Sequence, residues 1–188
     1  MIVVGYLFST LNYILYCIGR FTKKKSAIML YCLFALVMAG ISNYCFGSLT
    51  GSLTLFVQIP IVFLSYCKEK KPMQKRTMIF VYSLAVLATT IILATTFKGL
   101  SSILIYVAAN LSIYSYWWMN EQQLRVTGVF IGVLFFLYCM SIGNYMGFME
   151  LLVILSNIVS YAVYKRKKSY ECKSVMLLEE SDKWKILR

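Results

Sequence analysis

Four carboxamide side chains lie inside long apolar stretches of this sequence, where their chemistry stands out. They are Asn12, Gln58, Asn110 and Asn157. An unpaired carboxamide is costly in an apolar environment, so each one must bond to a neighbouring helix, to water or to a solute. Because a carboxamide has both donors and an acceptor, it suits a neutral solute with hydroxyl or amide groups. The four residues therefore predict either a polar pocket or a set of contacts between helices.

Histidine is absent from the chain, and this excludes several kinds of enzyme site. Without imidazole there can be no Ser–His or Cys–His nucleophile pair, no His-ligated zinc and no histidine proton relay. The six cysteines have no Cys-x-x-Cys spacing, and most lie in apolar stretches where a free thiol packs as a small hydrophobe. We therefore expect no enzymatic activity, no metal and no cofactor.

The composition is typical of a membrane protein. Hydrophobic residues make up 60% of the 188 positions and charged residues only 14%, whereas a soluble domain has about 25% charged residues. A net charge of +12 would suit nucleic acid, but the basic residues lie in short clusters between long apolar runs. We therefore expect the lipid bilayer as a partner and no nucleic acid.

Seven apolar runs are each long enough for a helix that crosses a bilayer, which takes about 20 residues. The runs are Ile2–Gly19, Ala27–Cys45, Gly51–Cys67, Thr77–Phe97, Leu100–Trp118, Val126–Ile142 and Gly147–Tyr164. No charged residue lies near the middle of a run, which argues against a proton-coupled pump and an ion channel with a charged filter. Glu150, one turn into the seventh run, is expected to be a solvated residue at the start of a helix.

The basic residues alternate between the connections, and this alternation predicts an orientation. Of the 19 Lys and Arg residues, only Lys98 lies outside the first, third and fifth connections and the tail Lys165–Arg188. Connections rich in Lys and Arg stay on the cytoplasmic side. We therefore expect the inner (plasma) membrane, the N-terminus outside and the tail in the cytoplasm, with its first basic residues against anionic lipid.

An odd number of spans permits two three-helix units of the same orientation, joined by a fourth span that turns the chain around. Gly47 and Gly51 precede the third span as Gly143 and Gly147 precede the seventh, at a shift of 96 residues. We therefore predict an all-α membrane protein with a 3+1+3 layout, as in transporters built from parallel repeats. Its parts are a first three-helix repeat over residues 1–67, a linker helix over 77–97, a second three-helix repeat over 100–164 and a basic cytoplasmic tail over 165–188.

These glycine pairs, the seven-span layout and the ending Leu155–Ser156–Asn157–Ile158–Val159 before a basic cluster resemble bacterial inner-membrane proteins of the YgjV type. The similarity covers about residues 5–168. That family is similar in layout to triple-helix-bundle carriers, which include sugar facilitators of the SWEET type and nicotinamide riboside transporters of the PnuC type. The resemblance implies two parallel three-helix bundles around a linker helix, with the N-terminus outside and a sugar- or nucleoside-like solute.

Two hypotheses about function remain open at this point. The leading hypothesis is a carrier or facilitator of a small polar metabolite, which binds at mid-depth to the four carboxamides. The alternative is a non-catalytic membrane scaffold or regulatory partner protein, in which the carboxamides only join helices. In either case the chain could act as a homodimer.

Three further residues are candidates for a role in transport. Pro60 lacks a backbone donor and bends the third span, so it is a candidate hinge. It is the one proline within a span, whereas sugar facilitators have prolines in several spans. Trp117 and Trp118 are candidate aromatic contacts for a solute. Aromatic residues also favour the headgroup region of a bilayer, so a role as a membrane-interface belt explains them without any solute.

Overall fold

The computed structural model describes residues 1–71 and 73–166, which form seven helices. The helices are α1 (Ile2–Arg20), α2 (Lys25–Cys45), α3 (Leu49–Lys70), α4 (Lys75–Thr96), α5 (Leu100–Trp118), α6 (Glu121–Ser141) and α7 (Tyr145–Arg166). The first turn of α7, Tyr145–Met149, is a 3-10 helix. The predicted all-α class and number of helices are confirmed for this part of the chain. Of the tail, only Lys165 and Arg166 lie within the described residues.

Six of the seven helices, all except α5, are long and apolar enough to cross a membrane. α5 has the predicted bounds but carries several serines, and it is deeply buried: Ile105, Ala108 and Ile113 have no exposed surface. Its Ser112 hydroxyl donates to the Ala108 carbonyl, so the polar group is satisfied within the helix. α5 therefore packs against three neighbouring helices, α3, α4 and α6, along one side, while its other side is exposed.

α6 begins earlier than its apolar pattern predicts because a capping box forms before it. The Asn120 side chain accepts the N–H groups of Gln122 and Gln123, and the Gln123 side chain accepts the Asn120 N–H in return. These reciprocal bonds satisfy donors that have no partner inside the helix. As a result Arg125, which the sequence placed in a connection, lies in the first turns of α6 and is only 2% exposed.

Six helices form a closed ring, and the remaining helix lies against its outside. In the ring each helix packs on the next, in the order α1, α2, α3, α5, α6, α7 and back to α1, while α4 packs on α3 and α5. The outward side chains are large and apolar, such as Phe80 at 69% exposure and Phe130 at 63%. So large an apolar exterior is typical of a protein surrounded by lipid. These features are those of a multi-pass membrane protein.

The bundle has two ends of different charge, because neighbouring helices along the chain run antiparallel. The basic end carries the α1–α2, α3–α4 and α5–α6 connections and the end of α7, and there Lys25 forms an ion pair with Glu69 at 2.9 Å. The opposite end carries the α2–α3, α4–α5 and α6–α7 connections, where Lys98 lies.

Two turns at the opposite end have the same hydrogen bonds at a shift of 96 residues. The N–H groups of Gly47 and Gly143 donate to the carbonyl three residues earlier, at 3.0 and 3.2 Å. Those of Ser48 and Asn144 donate to the carbonyl five residues earlier, at 2.9 Å in both turns. Gly47 and Gly143 have φ angles of +76° and +71°, which glycine adopts without strain. The turns before α3 and α7 therefore have one geometry.

Helix lengths repeat as well. α1, α2 and α3 have 19, 21 and 22 residues, and α5, α6 and α7 have 19, 21 and 22. Asn12 and Asn110 are each the eleventh residue of their helix, at a shift of 98 residues. The shift differs from 96 because the α1–α2 connection is two residues longer than the α5–α6 connection. A single shift of 96 residues applied to the whole sequence therefore does not align Asn12 with Asn110.

Candidate functional site

A polar cavity of about 40 Å³ lies inside the ring. All six ring helices contribute to its lining, and α4 does not. The polar lining includes Ser9, Asn12, Arg20, Asn43, Asn144 and Glu150. One water needs about 10–15 Å³ of such volume, so the cavity accommodates roughly three waters. A solute as large as a sugar would require the helices to separate.

One face of α1 supplies much of this lining. Ser9, Asn12, Tyr13, Tyr16 and Arg20 follow one another at intervals of three or four residues, apart from the adjacent Asn12 and Tyr13, and all five border the cavity. Residues at this spacing lie on the same face of a helix. The Asn12 Oδ1 atom is buried and has no protein partner among the described residues. This polar stripe was readable in the sequence and was the signal for the cavity.

Arg20 is a buried charge that the sequence analysis assigned to a connection. It is the last residue of α1 and is only 4% exposed. Its Nε and Nη1 atoms are buried and have no hydrogen-bond partner within the described residues. The guanidinium lies 5.9 Å from the centre of the Tyr16 ring. A buried charge without hydrogen bonds is costly, so these donors require water or a ligand.

Glu150 does not have the solvated position expected from the sequence. Its side chain borders the cavity and the residue is only 7% exposed, so that expectation was wrong. The physical reason is the orientation of α7: Glu150 and Val153, three residues apart, lie on one face of the helix, and that face borders the cavity. Arg20 lines the same cavity. Two residues of opposite charge therefore line one cavity.

Two of the predicted carboxamides are buried outside this cavity. Gln58 is 1% exposed, and its Nε2 atom has no partner in the described part of the chain. Asn157 is fully buried, and its Nδ2 atom donates to the Val153 carbonyl at 2.9 Å. The Asn157 side chain lies directly against Gly128, where a Cβ would be 2.7 Å from its Oδ1 atom. Asn157 is thus packed at the contact between α6 and α7.

Asn110 joins α5 to α4. Its Oδ1 atom accepts the Thr89 hydroxyl at 3.3 Å, and its Nδ2 atom donates to the Tyr106 carbonyl at 2.9 Å. Of the four carboxamides, then, only Asn12 lines the cavity, and the structure does not bring the four together. A solute-binding role for them stays a prediction.

The candidate hinge and aromatic residues lie away from the cavity. Trp117 is 1% exposed and Trp118 is 37% exposed; the Lys68 ammonium lies 5.7 and 5.9 Å from their ring centres and donates to the Trp117 carbonyl. Pro60 lies within α3 on an exposed face. Their roles as solute contacts and as a hinge remain predictions.

At the opposite end, one hydrogen bond joins the α2–α3 hairpin to α6. The hydroxyl groups of Ser48 and Tyr138 lie 2.6 Å apart. The Tyr138 hydroxyl also fills the space beside Gly51, where any side chain would collide with it. We call this contact the opposite-end closure.

At the basic end, the α1–α2 connection is bound to α6 and α7. Arg125 donates from Nη2 to the Thr22 carbonyl at 2.9 Å, and the Tyr164 hydroxyl donates to the Phe21 carbonyl at 2.6 Å. The Arg125 guanidinium lies 4.3 Å from the centre of the Tyr164 ring, a cation–π geometry. We call these contacts the basic-end closure. The cavity is thus bounded by a closure at each end.

No family model matches the chain, and no curated protein or solved structure is significantly similar to it. The resemblance to the YgjV type and to triple-helix-bundle carriers therefore remains a prediction from the sequence. Within residues 1–71 and 73–166, no three His, Cys, Asp or Glu side chains cluster as a metal site requires.

Proposed function

We propose that the chain is a membrane carrier or facilitator for a small polar solute that binds in the central cavity. The observation that carries this proposal is the unsatisfied polar lining. Asn12 Oδ1 and two nitrogens of Arg20 are buried beside a space of about 40 Å³ and have no partner in the described protein. Buried polar atoms are almost always hydrogen-bonded, so water or a solute is their expected partner.

The proposed architecture is two three-helix repeats joined by α4. It is supported by the matching helix lengths and by the shared geometry of the turns at Gly47 and Gly143. In this arrangement α1, α2 and α3 correspond to α5, α6 and α7. When the corresponding helices are exchanged, each contact in the ring becomes another contact in the ring. The protein lies in the inner (plasma) membrane of the cell. Its basic end faces the cytoplasm, because loops rich in Lys and Arg stay on the cytoplasmic side. The N-terminus then lies outside.

Alternating access follows from the two closures. Each of them joins the first proposed repeat to the second, and the hydrogen bonds of both are formed. Release of the Ser48–Tyr138 bond would open the cavity to the outside. Release of the Arg125–Thr22 and Tyr164–Phe21 bonds would open it to the cytoplasm. A carrier in which the repeats move against each other needs closures of this kind that open one at a time.

A membrane scaffold or regulatory partner is the second candidate. The observation that favours it is Asn110, whose carboxamide is used for a contact between α4 and α5. If all the buried carboxamides had such roles, the cavity would only hold structural water.

An uptake experiment with a reversible lock distinguishes the two candidates. Native cysteines are first replaced, and cysteines at Ser48 and Tyr138 are then joined by a short bifunctional methanethiosulfonate reagent to hold the opposite-end closure shut. A spacer is needed because the contact is made by the end of a tyrosine side chain, and a direct disulfide requires Cα atoms within about 7 Å of each other. Purified protein in liposomes is screened for uptake of small polar solutes. A carrier should take up at least one solute, lose uptake on cross-linking and regain it on reduction.

The matched control is a cysteine pair at Thr89 and Asn110, which joins α4 to α5 without crossing the cavity. Its cross-linking with the same reagent should leave uptake unchanged. No uptake of any solute in the panel would reject the carrier and favour the scaffold.

A further inference from the structure

Arg20 differs from the other buried arginine in how its guanidinium is satisfied. Arg125 donates from Nη1 to the Glu121 carbonyl and from Nη2 to the Thr22 carbonyl, and it stacks on Tyr164. Arg125 is thus held by the protein through both terminal nitrogens, and only its Nε atom has no partner among the described residues. Arg20 is only 4% exposed, yet its Nε and Nη1 atoms have no partner within the described residues.

Arg20 lines the central cavity, so a ligand in that space lies beside its side chain. A guanidinium keeps its positive charge in proteins and forms its strongest hydrogen bonds with carboxylate and phosphate oxygens. An anionic group in the cavity would therefore supply the hydrogen bonds that Arg20 lacks.

The volume and the second charge of the cavity limit which anion fits. A cavity of about 150 Å³ binds benzene, which has six heavy atoms, so about 40 Å³ suits a ligand of only a few heavy atoms. Glu150 lines the same space, and whenever its carboxyl group is ionised it repels a dianion more strongly than a monoanion. A small monocarboxylate such as acetate meets both conditions. A phosphate dianion is of similar size but carries two charges, and a phosphate ester is also larger.

We propose that the central cavity binds the carboxylate of a small monocarboxylic acid through the Arg20 guanidinium. This inference rests on the carrier function proposed above and names its substrate class. The carboxylate accepts hydrogen bonds from Arg20, while Asn12 Oδ1 remains available to a donor on the solute or to water. Glu150 sets the upper limit on the charge that the cavity accepts.

The test uses acetate and acetamide, which have nearly the same shape and differ in charge. Binding to the purified full chain is measured by calorimetry at constant ionic strength. Acetate should bind at least about tenfold more tightly than acetamide, because charge-assisted hydrogen bonds are about twice as strong as neutral ones. Acetate should also bind more tightly than inorganic phosphate.

Two variants assign the preference to Arg20. Arg20→Gln should weaken acetate binding about tenfold, to the level of acetamide, and Arg20→Lys should retain part of it because the charge remains. The control is Lys24→Gln, which removes one exposed positive charge from the same end of the bundle and should change acetate binding less than twofold. If Arg20→Gln does not fold, the wild-type preference and Arg20→Lys decide the question.

Equal affinity for acetate and acetamide, or equal losses in Arg20→Gln and Lys24→Gln, would overturn this inference. Tighter binding of phosphate than of acetate would overturn the assigned class. In either case the carrier proposal survives if acetamide binds and Asn12→Leu abolishes its binding. If neither probe binds and no solute is taken up, both proposals fail.

Discussion

The hydroxyl groups of Ser48 and Tyr138 lie 2.6 Å apart and join the α2–α3 hairpin to α6. This one hydrogen bond connects the two proposed repeats at the end of the bundle that we assign to the outside. Tyr138 is 1% exposed, and the adjacent residue, Cys139, borders the central cavity. The contact therefore gives a direct way to test whether that end opens.

Tyr138→Phe should loosen the opposite-end closure. In a double-mutant cycle with Ser48→Ala, the coupling free energy should be about 0.5–1.5 kcal/mol, the net value of one hydrogen bond. A water-soluble thiol reagent should also label Cys139 faster in Tyr138→Phe than in the wild type. Tyr106→Phe is the control, since its hydroxyl contacts Thr90 on the exposed α4–α5 surface. Equal labelling rates in both variants would contradict a gating role.

The orientation predicts which engineered cysteines react from outside. Asn144 is 2% exposed and is a poor probe, but Tyr145 beside it is 70% exposed. In a background without native cysteines, Tyr145→Cys should react with an impermeant reagent added to intact cells. Lys71→Cys, at the basic end, should react only after the membrane is permeabilised. The reverse pattern would invert the orientation that we assign.

Asn12 and Asn110 hold the same helix position but should respond differently to leucine. Asn110→Leu removes the bond between the Thr89 hydroxyl and α5, while that hydroxyl keeps its bond to the Val86 carbonyl. The free energy of unfolding should therefore fall by about 0.5–1.5 kcal/mol, the net value of one hydrogen bond. Asn12→Leu removes an atom that has no protein partner among the described residues, so thermal stability should stay level or rise. Solute binding should weaken only in Asn12→Leu. A large loss of stability in Asn12→Leu would mean that Asn12 is a structural contact, in favour of the scaffold.

Gly128 allows the close contact between α6 and α7. In Gly128→Ala, the new Cβ would lie 2.7 Å from the Asn157 Oδ1 atom, so overpacking should cost about 1–3 kcal/mol in thermal or denaturant unfolding. In the Asn157→Ala background the space is free, and Gly128→Ala should then cost much less. Additive effects of the two substitutions would show that this contact does not limit the packing of the helices.

The sequence by itself determined the helices and the charge difference between the two ends. Both are local properties. A run of about 20 apolar residues forms a helix that crosses the membrane whatever packs against it, and the position of a Lys or Arg in the chain decides which end of the bundle it is near. The positive φ at Gly47 and Gly143 is local too, because the turn geometry depends on residues within five positions.

Only the tertiary structure decided which polar groups share the cavity. Asn12 and Asn110 have the same place in helices of equal length, but α1 faces the cavity whereas the side chain of Asn110 meets α4, so one carboxamide is free and the other is bonded. Arg20 and Glu150 were expected near the surface, and both are buried because the packing of α1 and α7 turns them toward the cavity. Helical periodicity gives the face on which a side chain lies, but the neighbour that it meets depends on how helices distant in sequence pack together.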